Sequence, residues 1–170
     1  MSSVQATKPE LPREEKAIIE SVSALLGDKA KLGYARPNRI KFSVEASNLI
    51  EVVRFARDNL HFDHCTNVTG TDFPKENQIQ VDYHFGSIDG QGLRRIILTI
   101  SCKIPSADPK IPSLINEYPS ADLHERETAE MLGVVFVGHP NLSRLLLPED
   151  WEDIPPLLKK YRLPGRLEGE

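Results

Sequence analysis

At 170 residues, with 39% apolar and 27% charged side chains, the chain can bury one core without disulfide or metal staples, and its composition excludes disorder or a coiled coil as the main architecture. A formal net charge of -4 excludes a general nucleic-acid binder, whose phosphates demand a surplus of Lys and Arg. No run approaches the ~20 apolar residues that cross a bilayer, residues 1–15 hold no apolar secretion core, and Cys65 and Cys102 form no C-x-x-C pair, so any membrane link is expected to be peripheral and the setting reduced and cytosolic.

In chain order, residues 1–10 are polar and are expected to be a flexible N-terminus. Pro12, Glu14 and Glu15 suit the first turn of a helix, and Ile18, Val22, Leu25 and Leu26 share one face until Gly27 stops it. Two extended runs between Lys31 and Val44 flank the turn-forming Arg36-Pro37-Asn38 and predict a hairpin. Ser47 or Asn48 can cap a second helix, with Glu51 three residues after Asn48 completing a capping box, and Leu49, Val52, Val53, Ala56 and Leu60 make one apolar stripe. Three strands are expected next, over 61–69, 79–85 and 93–102. In the middle one Ile79, Val81, Tyr83 and Phe85 alternate with Gln80, Asp82 and His84, so one face is wet. Asp89-Gly90 predicts a positive-φ turn joining the last two strands into an antiparallel pair. The proline-rich stretch 103–119 leaves room for one short helix over 111–117. Ser120 or Asp122 is expected to cap a helix through Leu132 that Gly133 ends. The fold class that follows is α+β: a mainly antiparallel sheet with helices packed on one face over 11–133, then an extended, proline-rich C-terminal arm over 134–170.

Motifs for chemistry fail one by one. His124-Glu125-Arg126-Glu127-Thr128 starts like a zinc-protease helix but places threonine where the second histidine belongs. His61 and His64 lie three apart in an expected strand and so face opposite ways. The glycines from Gly86 to Gly92 lack the lysine and following helix of a phosphate loop. No nucleophile elbow occurs, and the thiols read as packing residues. Asn67 and Asn141 head glycosylation-type triplets that an unexported chain never exposes to the transferase. Glu125, Arg126, Glu127 and Glu130 crowd one helix, where Arg126 can reach Glu130 at i, i+4 and the bland reading is a solvated face. The arm that follows is rich in Leu, Pro, Arg and Trp; it either folds back on its own domain or lies in a partner's groove.

The run E-R-E-T-A-E-M-L-G-V-V-F-V-G-H-P-N-L-S-R-L-L-L-P-E-D-W, Glu125 to Trp151, resembles the signature of the complex I 30-kDa subunit family, the C subunits of NADH-quinone oxidoreductase. The order of elements before it, with Asp63, Val68 and Asp72 in the strands, looks like the same family, so the resemblance spans roughly residues 15–160. It implies a peripheral subunit on the cytoplasmic side of the membrane, without catalytic residues or cofactor of its own. Iron–sulfur clusters, and in some relatives nickel–iron, would lie in partner subunits: a homologue of the large D subunit, descended from nickel–iron hydrogenases, and the neighbouring iron–sulfur subunits of the hydrophilic arm. Relatives also serve energy-converting membrane-bound hydrogenases, formate hydrogenlyases and F420-type dehydrogenases, so the resemblance implies an architectural role in electron transfer coupled to ion translocation rather than one donor or acceptor. Two departures, Asp122-Leu123-His124 in place of a tryptophan-bearing lead-in and 153–161 in place of a Gly-His-Pro continuation, keep both the quinone-linked and the hydrogenase-type complex open. The interface residues expected from this reading are Glu125, Arg126, Glu127, Glu130, His139, Pro140, Arg144 and Trp151. A small acid–base enzyme using Glu127 and Glu130, or a non-redox adaptor, are the competing classes.

Overall fold

A computed structural model describes residues 11–90 and 93–162. The expected flexible N-terminus, Gly92 and the last residues of the arm lie outside them. Helix α1 (Arg13–Leu26) starts after Pro12, buries Ile18, Val22 and Leu26, and ends where Gly27 takes φ 51°. Its Glu15 does more than favour the helix dipole: the side chain is buried, and its carboxylate accepts the Asn38 amide at 2.8 Å. That bond ties α1 to the hairpin of β1 (Ala30–Arg36) and β2 (Arg39–Val44), whose turn uses Asn38 at φ 64°.

Helix α2 (Leu49–Leu60) buries Leu49, Val52, Val53 and Ala56, as its stripe predicts. The capping box does not form. A short 3-10 turn (Ala46–Asn48) leads into the helix, Asn48 stays in the helical region without capping, and Glu51 pairs instead with Lys29 at 2.6 Å. The helix ends on His61 at φ 58°, so His61 lies outside β3 (His64–Phe73), contrary to the expected strand start, and the two histidines share no strand. Strands β4 (Gln78–Gly86) and β5 (Ile97–Pro105) pair antiparallel from Gln78↔Pro105 to Phe85↔Leu98. Their connection is longer than the expected turn. Gly90 has no positive φ, and its amide donates instead to Ser87 Oγ at 2.9 Å.

The five strands run in the order β1-β2-β5-β4-β3. All pairs are antiparallel except β2–β5, which is parallel, from Arg39↔Ile97 to Ser43↔Ser101. Because side chains alternate, Ile40 and Phe42, Leu98, Ile100, Cys102 and Ile104, and Ile79, Val81, Tyr83 and Phe85 line one apolar face, and the buried side chains of the helices belong to the same core. The opposite face is the wet one predicted for β4: Lys41, Gln80, Asp82 and His84 point there.

The stretch 111–117 is not a helix. Lys110–Pro112 forms β6, whose partner is β7 (Val135–Val137) in a parallel two-stranded sheet. Pro112 at the strand end has no N–H to give, which suits a short edge strand better than a helix interior. Beyond it Glu117 is clamped by Arg54 at 2.7 Å and Arg57 at 2.6 Å, and the Arg54 and Arg57 guanidiniums hold its carboxyl below the ordinary range. A 3-10 turn (Pro119–Ala121) then opens helix α3 (Asp122–Leu132), whose N-cap is Ala121. Neither expected cap acts as one, because Ser120 Oγ is committed to the Cys65 carbonyl at 2.9 Å.

Helix α3 packs closely on β3 at Gly70, where an added side chain would have to displace Leu132. A Cβ on Gly70 would meet Leu132 Cδ1 at 2.1 Å and Thr128 Cγ2 at 3.1 Å. Gly70→Ala is therefore expected to cost about 1–2 kcal/mol as overpacking, read as a lower urea midpoint at unchanged slope. Wild-type stability in that variant would contradict the close approach. Gly133 at φ 76° ends α3 as predicted, and Val134 and Phe136 are buried.

Candidate docking surface

Helix α3 and the chain after β7 form one hydrogen-bonded unit. Gly138 turns the chain with φ 91°. The His139 side chain is buried, and its Nδ1 accepts the Asn141 amide at 3.1 Å. Its Nε2 lies 3.3 Å from Asp122 Oδ1 without hydrogen-bond geometry. Asn141 Oδ1 accepts the Ser143 amide at 3.0 Å, a local side-chain turn. Pro140 is exposed between them.

The expected Arg126–Glu130 pair does not form, because both side chains are used on the arm's backbone. Arg126 donates to Ser143 O at 3.2 Å, Ser143 Oγ at 3.1 Å and Arg144 O at 3.2 Å. Glu130 accepts three successive amides, Leu145 at 3.1 Å, Leu146 at 2.9 Å and Leu147 at 2.8 Å. Burial pushes the Glu130 pKa up, but the Leu146, Leu147 and Leu145 amides and the Arg144 charge outweigh it and hold the carboxyl below its ordinary range. Arg144 turns back on the arm and donates to Pro148 O at 2.6 Å, Glu149 O at 2.7 Å and Trp151 O at 2.6 Å.

Farther on, Trp151 Nε1 donates to Ile154 O at 3.3 Å and its ring packs on Tyr161 with centroids 5.8 Å apart. Leu157 N donates to Met131 O at 3.0 Å and Lys159 N to Asp72 Oδ2 at 2.8 Å. Of the two courses open to the arm, this stretch takes the first and folds back along its own domain.

Glu125 sits elsewhere. It is completely buried on the inner side of α3, where Oε1 accepts the Leu114 amide at 2.7 Å and Oε2 accepts Ser113 Oγ at 2.5 Å. Burial pushes its pKa up to about 7, against the opposing pull of those two donors and with a further rise from Asp122. It therefore presents nothing to a partner. Glu127 is exposed and makes no hydrogen bond or ion pair among the described residues.

The structure so divides the expected interface set. Arg126, Glu130, Arg144, His139 and Trp151 are joined as an internal frame, Pro140 and Glu127 lie on its surface, and Glu125 lies beneath it. What the frame displays is apolar: Leu142, Leu145 and Leu146 are 38%, 39% and 60% exposed. Exposed aliphatic side chains carried on a fixed backbone mark an interaction surface more than a solvated one. Sequence reasoning passed over these leucines for the charged residues. The signal was present in three consecutive leucines following two polar anchors, since a short run fixed through its own amides cannot bury every side chain.

Among the described residues no group of three or more His, Cys, Asp or Glu side chains is placed to hold a metal. None of the described helices is long and apolar enough to cross a membrane. Residues 42–167 match the family described as respiratory-chain NADH dehydrogenase, 30 Kd subunit. The chain belongs to that family. It is 39% identical to the C subunit of NADH-quinone oxidoreductase from Streptomyces coelicolor over 130 residues, 74% of this chain but 50% of that protein. The chain thus spans about half the length of this curated relative. It is 32% identical to the C subunit of F(420)H(2) dehydrogenase from Methanosarcina mazei over 149 residues, 87% of this chain and 92% of that one. A chain in the structure of the membrane-bound sulfane sulfur reductase, an archaeal respiratory membrane complex, shares the fold with a TM-score of 0.76 at 22% identity, covering 87% of this chain and 85% of that chain. As a 30 Kd family member the chain combines an α+β body with an arm whose polar frame fixes a row of leucines.

Proposed function

We propose that the chain is the cofactor-free 30-kDa subunit of a complex I type oxidoreductase, peripheral on the cytoplasmic side of the membrane. It docks on the large, hydrogenase-like D subunit of the hydrophilic arm and supports electron transfer coupled to ion translocation without catalysing it. The observation that carries this reading is the frame of Arg126, Glu130 and Arg144, which spends three charged side chains on the arm's own backbone and leaves Leu142, Leu145 and Leu146 outward. Anchors held in place before binding lower the ordering cost of association. Redox groups belong to the neighbouring iron–sulfur subunits.

The second reading is the equivalent subunit of an F420-linked or hydrogenase-type complex. It is supported by the 32% identity to the C subunit of F(420)H(2) dehydrogenase from Methanosarcina mazei over 149 residues. Isolation of the tagged full chain from native membranes tests both at once. Co-purification of a hydrogenase-like large subunit with iron–sulfur subunits is expected, and the presence of an NADH-oxidising or an F420H2-oxidising subunit separates the two readings. A chain recovered only as a free monomer contradicts both.

A further inference from the structure

The chain carries a net charge of -4, yet the open face of its sheet carries the opposite sign. Direct strand partners place Lys31, Tyr34 and Arg36 of β1 beside Ser43, Lys41 and Arg39 of β2, and the same face continues through Thr99, Ser101 and Lys103 of β5 to Gln80, Asp82 and His84 of β4. Two carboxylates pair directly with these cations, and Asp28 and Glu45 line the same pocket as Lys31 and Lys103. Asp82 takes Lys41 at 3.1 Å and the Gln80 amide at 2.9 Å, and Glu76 takes Lys103 at 2.5 Å. Lys31, Arg36 and Arg39 are all exposed and have no carboxylate within pairing distance among the described residues. The Arg36 guanidinium lies 5.4 Å from the Tyr34 ring centroid, and that ring is 39% exposed. The hydroxyl-bearing Thr99 and Ser101 are each 4% exposed, so the middle of the face is shielded, while Lys31, Arg36 and Arg39 on its outer strands are exposed.

Edge protection explains part of this. A bulge between Leu32 and Tyr34 and charges on an edge strand both discourage strand addition. That argument stops at β1. Arg39 lies on β2, one strand in, where no edge needs guarding. The same bulge also directs a visitor to the face rather than to the strand edge. Burial lowers the His84 pKa, and Lys41 and Arg39 deepen the fall against the pull of Asp82, which agrees with a positive field there.

We infer that this outer strip, with Lys31 at one end of the β1–β2 hairpin and Tyr34, Arg36 and Arg39 toward its turn, is a second docking surface that takes an acidic patch on a neighbouring protein subunit. The inference rests on the reading of the chain as one member of an assembly. Arg and Tyr are the side chains that anchor protein interfaces. Three cations without a carboxylate partner among the described residues, one of them against the Tyr34 ring, suit a few carboxylates, whereas a phosphate polymer draws affinity from many more contacts. Opposite charge also steers and orients association.

The test uses the complex isolated from native membranes in detergent, and the full chain alone. Acetylation of Lys31, followed by mass spectrometry, is expected to be about tenfold slower in the complex. A zero-length carbodiimide is expected to join Lys31 to an Asp or Glu of another subunit. Lys31→Glu/Arg36→Glu/Arg39→Glu is expected to weaken retention in the complex about tenfold, as release at lower salt. Equal acetylation in a complex that retains the chain overturns the second surface and leaves the arm's role standing. Absence of the chain from any complex overturns both. Unprotected Lys31 in the complex, with binding of the lone chain to phosphatidylglycerol vesicles that the triple variant loses, assigns the strip to lipid and overturns the protein partner.

Discussion

Glu125→Ala is expected to destabilise the full chain by about 3–5 kcal/mol, from two buried donors left without an acceptor and the cavity left by the side chain. The donors are the Leu114 amide and Ser113 Oγ, and Leu114 is completely buried. Glu125→Gln is expected to fold, because Gln Oε1 can accept the Leu114 amide while its Nε2 donates to Ser113 Oγ. The two variants separate through pH. The ordinary carboxyl value is 4.5, and in the folded chain burial raises it to about 7. Between those values the unfolded chain releases the proton and the folded chain keeps it. Stability from this group is thus complete below 4.5 and is lost as pH rises through 7, about 3 kcal/mol in all. Urea midpoints at pH 5 and pH 8 are expected to show that loss in the wild type and its removal in Glu125→Gln. The same pH dependence in both proteins contradicts the assignment.

Glu130→Ala is expected to leave the body folded and release the arm. One carboxylate holds the Leu145, Leu146 and Leu147 amides, and charged acceptors make stronger hydrogen bonds than neutral ones. The segment is partly exposed, so water replaces some of what is lost. The expected reading is hydrogen exchange at these three amides faster by about tenfold or more, with the amides of β4 and β5 unchanged. Retention of the chain by its complex is expected to fall with it, since the leucines lose their fixed backbone. Unaltered exchange at Leu145–Leu147 contradicts the frame.

Local periodicity made much of the fold legible. Ile18, Val22 and Leu26 on α1, Leu49, Val52, Val53 and Ala56 on α2, and the alternation of β4 each report a face within a few residues. The parallel pairing of β2 with β5 was not legible, because it joins segments separated by α2, β3 and β4 and leaves no local mark. Strands β6 and β7 were missed for a different reason: each has three residues, and Pro112 weighs against a strand unless its missing N–H falls at the end. Side-chain caps were expected at Asn48 and Ser120, where the chain instead enters through 3-10 turns and spends Glu51 and Ser120 on tertiary contacts.

The charged run from Glu125 to Glu130 was legible in the sequence, and its partners were not. Charge on a short helix reads as solvated unless those partners are known. The partners of Arg126, Glu130 and Arg144 are backbone groups in the arm, and backbone groups are the same in every sequence. Glu125 looked like its neighbours, although one more step around the helix turns it inward onto Leu114.

The most direct measurement of the central claim is retention of the tagged full chain by its membrane complex when Leu145→Ser and Leu146→Ser are combined. Both side chains are exposed, so the isolated variant is expected to keep its stability within about 0.5 kcal/mol of the wild type. Its co-purification with the large hydrogenase-like subunit is expected to fall by about tenfold or more, at a cost of about 1–2 kcal/mol per anchor. Undiminished co-purification of that folded variant would contradict the arm as the docking element.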